Sequence, residues 1–310
     1  MVVNIELTKR AWQARRRYTI LTFVVSILLL GWGAFVTSIN AGMAVPDWPS
    51  TFNSYDIFNP WPEWWTITPV LAEHGHRLLG ALVGLFTLGL AVWTLMADHR
   101  VWMRKLAMAA LAIVILQGVL GGLRVIWVSL DLAVVHALVA QLYFSLLACL
   151  ILFVSPLWER ASGNPQKING HTLRYFAIAV SGTIYFQIFL GALLRHPGTG
   201  IDPVYATFHI GFALVATLGV VQLWIKLRIE YRQESELVTV GRWMINLLGI
   251  QITLGLVAYF VILDERGITQ PSNLQVIINS MHLITGALLL ASSVVLSVIT
   301  VRRSHVSKST

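Results

Sequence analysis

Long apolar runs separated by short polar segments dominate this chain. Eight runs are long enough to cross a bilayer, at roughly residues 18–39, 75–97, 106–126, 132–154, 175–194, 206–226, 243–263 and 276–300. A membrane-spanning helix needs about 20 mostly apolar residues. The pattern therefore predicts an all-α integral membrane protein with eight transmembrane helices. No small-residue cleavage site follows the first run, so we expect a first span there and not a signal peptide.

The composition supports a membrane protein. Hydrophobic residues make up 56% of the chain and charged residues only 12%, whereas a soluble domain has about a quarter of its residues charged. The mean hydropathy is +0.72. Cys149 is the only cysteine and lies within an apolar run. An intrachain disulfide or a multi-cysteine metal site is therefore excluded.

The formal net charge of +8 follows the predicted topology. With the N-terminus inside, all but four of the 22 lysines and arginines lie on the inner side, and the exceptions are Arg77, Arg124, Arg195 and Arg266. This is the positive-inside distribution. It predicts a multi-pass protein of the plasma membrane with both termini in the cytoplasm, and it gives no reason to expect a nucleic-acid partner.

Two motifs recur along the chain and indicate an internal duplication. A histidine followed four residues later by Gly or Ala occurs on spans two, four, six and eight, at His76, His136, His209 and His282. Gln-x-x-Leu-Gly occurs on spans three, five and seven, at Gln117–Gly121, Gln187–Gly191 and Gln251–Gly255. We therefore expect two pseudo-symmetric four-helix bundles, at 1–154 and 175–310, joined by a cytoplasmic linker at 155–174.

The four histidines are candidate ligands of haem iron. An ionisable residue within a membrane span is costly and is usually functional. Residues i and i+4 share one helix face, so each histidine has an uncrowded patch one turn further on. Two histidines on facing helices at one depth suit axial ligation from opposite sides of a porphyrin. Ordinary packing of small residues between helices also explains the Gly or Ala, and the recurrence favours haem.

The two halves differ around their histidines. Glu73 lies three residues before His76, whereas Ala206 and Asn279 occupy the aligned positions in the second half. An acid there either accepts a hydrogen bond from a histidine or takes part in proton transfer or charge stabilisation. The first half also has a long outer loop at 40–72, rich in tryptophan and proline. This loop is either an aromatic interfacial belt or a lid that excludes water from the first site.

Three outer arginines are candidate partners of haem propionates. Arg77, Arg124 and Arg195 lie at the depth where propionates would emerge, and arginine binds carboxylates in a bidentate fashion. The alternative is that these side chains extend to the outer lipid headgroups. His74 is two residues from His76, so on a helix it points elsewhere.

Taken as a set, the motifs resemble those of the haem A synthase family. Glu73-His74-Gly75-His76-Arg77 is similar to the E-x-x-H-R motif of that family, and Pro46-Asp47-Trp48-Pro49 is similar to its first outer loop. The segment from Gln117 to Gly122 is similar to its third helix. Many members have a cysteine just before the Pro-Asp-Trp-Pro stretch, and this chain has Val45 there. The resemblance is therefore to members that lack the loop cysteine pair.

The resemblance implies an oxidoreductase that converts the C8 methyl group of haem O to a formyl group, giving haem A for terminal oxidases. It implies that His76 and His136 hold the substrate haem O, with Glu73 as the catalytic acid beside them. It also implies that His209 and His282 ligate a resident haem b. Haem O synthase, assembly factors of the terminal oxidase and a second copy of the chain are the implied partners, and no motif indicates the electron donor.

Two other functions are consistent with parts of the sequence. A di-haem b-type membrane cytochrome for electron transfer accounts for the four histidines equally well, but not for the acid and the long loop in one half only. A metal or small-solute transporter requires interrupted helices with charge near mid-membrane, and the chain offers no convincing example.

Overall fold

The computed structural model describes residues 2–160, 170–195, 202–265 and 271–306. Its helices are α1 (Val2–Ser38), α2 (Glu63–Thr66), α3 (Thr68–Ala97), α4 (Val101–Ile126), α5 (Leu130–Phe153), α6 (Pro156–Arg160), α7 (Gly170–Leu194), α8 (Pro203–Glu230), α9 (Ser235–Asp264) and α10 (Asn273–Val306). All except the short α2 and α6 are long and apolar enough to cross a membrane. The predicted all-α fold with eight spans is confirmed.

Several helices begin earlier than the apolar runs predicted. The second and sixth runs start at about 75 and 206, whereas α3 begins at Thr68 and α8 at Pro203. Each of these helices has proline in its first turn, where a missing N–H breaks no helical hydrogen bond. The Asp202 side chain also accepts a hydrogen bond from the Val204 N–H, at 2.7 Å. The first turns of these helices are polar, so hydropathy does not show where the helices begin. Their starts are determined by the capping residue and by proline.

The spanning helices pack in two closed rings. In the first half α1 contacts α3, α3 contacts α4, α4 contacts α5, and α5 contacts α1. In the second half α7, α8, α9 and α10 repeat the same cycle. The halves meet where α10 packs against α1 and α5, and where α5 packs against α7. This arrangement is consistent with two pseudo-symmetric four-helix bundles.

The centre of the interface between the halves is built from small and aromatic side chains. Phe144 of α5 stacks on Phe23 of α1, with ring centroids 4.4 Å apart. Ala287 and Ala291 of α10 pack in the same cluster, and small residues let helices approach closely. These contacts join α5 and α10, which carry His136 and His282.

A charge cluster closes the predicted cytoplasmic end of the first half. Asp98, in the turn after α3, is paired with Arg15 of α1 at 3.0 Å and with Arg100 at 2.7 Å. Burial raises the pKa of the Asp98 carboxyl, but the hydrogen bonds and charges of Arg100 and Arg15 outweigh this effect and bring the pKa down to about 2. In the second half, Arg303 of α10 is paired with Glu234 and Glu236.

Candidate functional site

The structure brings the four histidines together in two matching pairs. His76 of α3 faces His136 of α5, with ring centroids 6.5 Å apart and ring planes at 70°. His209 of α8 faces His282 of α10, with centroids 6.4 Å apart and planes at 69°. Each half therefore places one pair of imidazoles inside its ring of helices, with nearly the same geometry.

The spacing of each pair suits a metal ion bound between the two rings. Imidazole–metal bonds of about 2 Å, with each ring centre about 1 Å beyond its nitrogen, place the ring centres about 6 Å apart. Both observed separations are close to this value. In the described part of the chain, no group of three or more His, Cys, Asp or Glu side chains forms a compact metal site. Two opposed imidazoles are the axial ligand set of a bis-histidine haem, so the residues fit that group.

Each histidine ring packs against a glycine of a neighbouring helix. A Cβ atom on these glycines would lie 3.0–3.3 Å from the Cε1 atom of the ring, and the pairs are Gly33 with His76, Gly121 with His136, Gly191 with His209 and Gly255 with His282. A methyl group at that distance forces the ring to move. Three of these glycines end the Gln-x-x-Leu-Gly repeats, so the glycine of that motif leaves space for a histidine ring.

Sequence reasoning missed the fourth glycine. Gly33 of α1 lies four residues after Leu29, where the other three helices have glutamine. The Gln-x-x-Leu-Gly pattern is therefore absent from α1. The signal that could have found Gly33 is its place in the duplication, because α1 is the first helix of the first half.

The glutamines of the repeat make unequal contacts with the histidines. The Gln117 side chain donates to the backbone carbonyl of His136, at 3.0 Å. The Gln187 side chain donates to the His209 carbonyl at 2.9 Å and also lies 3.1 Å from Nδ1 of that ring. The Gln251 side chain lies 3.1 Å from Nε2 of His282. The glutamine thus reaches the imidazole in the second half only.

The glycines one turn beyond His76 and His282 also have different surroundings in the two halves. A Cβ atom on Gly80, after His76, would meet no atom within 4 Å. A Cβ atom on Gly286, after His282, would lie 3.2 Å from the amide nitrogen of Gln251. The first site therefore has open space beside its histidine, and the second has a glutamine there.

Glu73 and Arg77 fasten the outer loop to α3. Glu73 is buried, and its two oxygens accept hydrogen bonds from the Val45 N–H at 2.9 Å and from Arg77 at 2.8 Å. The Arg77 guanidinium also donates to the carbonyl oxygens of Val45, Asp47 and Ser50, at 2.8–3.0 Å. The acid that distinguishes the first half is therefore part of an ion pair that holds the loop.

The other two predicted propionate partners, Arg124 and Arg195, form hydrogen bonds with residues at or just after the end of α1. Arg124 donates to the Gly42 carbonyl at 3.1 Å, and Arg195 donates to the Ser38 hydroxyl at 2.6 Å. Burial lowers the pKa of Arg195 to about 10, so its charge persists at neutral pH. Arg195 thus links the end of α7, in the second half, to the helix that precedes the loop.

Comparison with known proteins agrees with the motifs. The family model of the cytochrome oxidase assembly proteins matches residues 62–208, which include Glu73 and the first histidine pair. Over 267 residues the chain is 27% identical to the protein named heme A synthase of Symbiobacterium thermophilum, covering 78% of this chain and 85% of that protein. The chain is therefore similar to the cytochrome oxidase assembly proteins over these residues, and to a protein named heme A synthase over most of its length.

Two further relatives of the same name match shorter stretches. The protein of Geobacillus kaustophilus is 26% identical over 183 residues, covering 58% of this chain and 55% of that protein. The protein of Lysinibacillus sphaericus is 29% identical over 178 residues, covering 56% of this chain and 55% of that protein. The chain thus aligns with only about half the length of these two relatives.

In this chain the outer loop is folded against the helices of the first half. The Trp48 ring lies so close to Gly122 of α4 that a Cβ atom there would collide with it. His74 points away from the histidine pair, bonds to the Ile57 carbonyl at 2.8 Å and packs on the Trp64 ring. Trp61 and Trp65, in contrast, are 65% and 61% exposed. Some tryptophans of the loop are therefore packed inward and others are exposed, and both the interfacial belt and the lid remain predictions.

Proposed function

We propose that this protein oxidises the C8 methyl group of haem O to a formyl group, producing haem A for a terminal oxidase. The observation that carries the proposal is the asymmetry between two otherwise matching histidine pairs. Among the described residues, only the pair of His76 and His136 has a buried acid on the same helix and a folded loop fastened by that acid. A pure electron carrier has no need for this difference, whereas an enzyme needs one site that excludes water from its substrate.

The two pairs would have different tasks. His76 and His136 would hold the iron of the substrate haem O, and His209 and His282 would hold a resident haem b. Conversion of a methyl to a formyl group, –CH3 + H2O → –CHO + 4 H+ + 4 e−, adds one oxygen atom and removes four electrons, which an external electron acceptor must take up. A haem b held by His209 and His282 would supply a route for these electrons. The matching ring spacing in both halves supports an axial role for all four histidines.

Glu73 and Arg77 would hold the outer loop over the first site and keep their charges in fixed positions. Both Glu73 oxygens accept hydrogen bonds, and four acceptors surround the Arg77 guanidinium. The carboxylate can therefore hold the loop in place and offer negative charge to the substrate. Preorganised charge of this kind stabilises positive charge that develops on a reacting carbon.

Arg124 and Arg195 remain the better candidates for the propionates. Each makes one described side-chain hydrogen bond to the polypeptide, to Gly42 and Ser38 respectively. Arg77, with four acceptors, is proposed instead as the anchor of the loop.

The proposed location is the plasma membrane, with both termini in the cytoplasm. Eight spans put the two ends of the chain on one side, and the positive-inside distribution selects the inner side. Haem O synthase and assembly factors of the terminal oxidase are the proposed partners.

The direct test is expression of the full chain in a host that makes haem O, followed by extraction and chromatography of the haems. The expected result is haem A together with a hydroxylated intermediate, and neither product from a His76→Ala variant. A folded, haem-loaded protein that gives neither product contradicts the proposal.

A di-haem b cytochrome is the second candidate, and the equal ring spacing of the two pairs favours it. It predicts two haem b groups per chain, held equally tightly. The haem A synthase proposal predicts one retained haem b and one exchangeable haem. Haem content per chain after purification separates the two.

A further inference from the structure

The two histidine pairs differ in what lies behind the rings. In the second half, the Gln187 amide nitrogen lies 3.1 Å from Nδ1 and 3.4 Å from Nε2 of His209, and the Gln251 amide nitrogen lies 3.1 Å from Nε2 of His282. In the first half, Nδ1 of both His76 and His136 is buried with no hydrogen-bond partner among the described residues. This difference separates two sites whose ring geometry is otherwise the same.

We propose that Gln187 and Gln251 are positioning residues that orient His209 and His282 and make the second site a permanent haem site. The missing glutamine contact in the first half would leave His76 and His136 able to release their haem. This inference rests on the proposed function, because an enzyme that modifies haem must keep one haem and release another.

The proposal follows from the two nitrogens of imidazole. When one nitrogen binds a metal, the other carries a proton and acts as a hydrogen-bond donor. A partner that accepts this bond fixes the tautomer and the ring orientation and raises the basicity of the ligand. A glutamine can be this partner through its side-chain oxygen.

The unpaired atoms of the second site fit this role. The side-chain oxygens of Gln187 and Gln251 are buried without a partner in the described structure, and so is Nδ1 of His282. The Gln117 oxygen at the first site is also unpaired, but the Gln117 amide meets the backbone carbonyl of His136 and not its ring. Buried polar atoms are rarely left unpaired. A half-turn of the Gln251 amide presents its oxygen to a proton on Nε2 of His282, and Nδ1 of that ring then becomes available to a metal. At His282, ligation thus satisfies the glutamine oxygen and both ring nitrogens together. Gln187 offers its oxygen in the same way only when its amide gives up the hydrogen bond to the His209 carbonyl.

Packing holds Gln251 in position. A Cβ atom on Gly286 would lie 3.2 Å from the amide nitrogen of Gln251, and one on Gly255 would lie 3.0 Å from Cε1 of His282. The glutamine is therefore confined between α9 and α10, next to the ring it contacts. At the first site no glutamine precedes Gly33, since Leu29 occupies that position, and the space beside Gly80 is open.

The test uses the full-length protein, purified with its haem and mixed with an excess of apomyoglobin. Transfer of haem is followed in the Soret band, and the slow phase reports the resident haem. The variants are Gln187→Leu, Gln251→Leu and Gln251→Glu. The matched control is Gln222→Leu, because Gln222 is exposed on α8 in the same half.

The Leu variants are expected to lose the resident haem about 10–100-fold faster than the wild type, the usual effect of removing the partner of a metal-bound histidine. Gln222→Leu should leave the slow phase unchanged. Gln251→Glu keeps an acceptor oxygen of the same reach, so it should retain the haem. Because a stronger acceptor makes the imidazole a stronger donor, the midpoint potential of Gln251→Glu should be lower.

Slow phases in both Leu variants that match the wild type would overturn the proposal. An unchanged midpoint potential in Gln251→Glu would also overturn it. This measurement can still be made if the Leu variants do not fold. Retention and potential are measured without turnover, so they are independent of haem A production. A host that produces no haem A, together with faster haem loss in the Leu variants, would reject the oxidase function and keep the positioning role.

Discussion

Glu73 of α3 accepts a hydrogen bond, at 2.9 Å, from the backbone N–H of Val45, which lies 28 residues earlier in the chain. The acid that marks the first site thus also fixes the start of the loop that covers that half. Because Arg77 bonds to both Glu73 and the Val45 carbonyl, the three residues form one unit. Loop closure and the charge of the site therefore depend on the same side chain.

Substitution of Glu73 can separate these two roles. Glu73→Ala removes the acceptor from the Val45 N–H and leaves Arg77 without its ion pair, and breaking a buried pair costs about 3–5 kcal/mol. Glu73→Gln keeps an acceptor for Val45 but removes the negative charge. We expect Glu73→Ala to open the loop to protease and to abolish haem A, and Glu73→Gln to keep the loop protected and still abolish haem A.

Limited proteolysis and haem chromatography on the same preparations measure both effects. Resident haem b should stay at its wild-type level in both variants, since His209 and His282 lie in the other half. Full haem A production by Glu73→Gln would show that the negative charge of Glu73 is not needed and that its role is to hold the loop.

The glycines behind the histidines provide a second prediction. Gly255→Ala places a methyl group 3.0 Å from Cε1 of His282. Overpacking of this kind costs about 1–3 kcal/mol, so we expect the resident haem to bind about 10–100-fold more weakly. The haem-to-protein ratio after dilution and gel filtration measures this loss.

Gly249→Ala is the matched control on the same helix. A Cβ atom at Gly249 meets nothing within 4 Å, and alanine is favoured over glycine in a helix by about 1 kcal/mol. Gly249→Ala should therefore keep its haem and unfold at a slightly higher temperature. Equal haem retention in the two variants would show that the ring does not need the space at Gly255.

The spans and the histidine positions could be predicted because both depend on local patterns. Twenty apolar residues mark a span wherever they occur, and the spacing of His76 and Gly80 puts both on one helix face. The partners of Arg77 could not be predicted in this way. Its outer position suggested propionates, whereas its donors meet the carbonyls of Val45, Asp47 and Ser50. Those contacts depend on the path of the loop. The loop has no repeating hydrophobic pattern, so its path cannot be predicted from the sequence.

The orientation of the loop tryptophans was hidden for the same reason. Trp64 is 8% exposed, whereas its neighbour Trp65 is 61% exposed. The sequence shows two adjacent aromatic residues with no difference between them. Packing against His74, which bonds the Ile57 carbonyl, determines which of them is buried.

Asp98 gives a prediction for stability and its dependence on pH. The folded-state pKa of Asp98 is about 2, below its ordinary value of 3.8. The ionised carboxylate therefore stabilises the fold fully above the ordinary value, and this stabilisation is lost as the pH falls towards 2. Asp98→Asn should lower the stability of the first half by about 2 kcal/mol, the typical value for a hydrogen bond to a charged group.

Thermal unfolding in detergent at a series of pH values measures this effect. The difference between the wild type and Asp98→Asn should be constant from neutral pH down to about pH 5 and should shrink below the ordinary pKa of aspartate. A difference that grows on acidification would contradict the assigned role of the pairs with Arg15 and Arg100.

Removal of single histidines gives the prediction that best separates the two candidate functions. If the second pair holds the resident haem, His209→Ala and His282→Ala should purify without haem b, because each leaves one imidazole without its opposing partner at 6.4 Å. His76→Ala and His136→Ala should purify with haem b at the wild-type level and make no haem A. His99→Ala is the control, since His99 is exposed in the turn between α3 and α4, and it should resemble the wild type in both respects. In a di-haem cytochrome each of the four site variants would instead lose half of the haem b, so extraction and chromatography of haem against protein concentration distinguishes the two functions in one series.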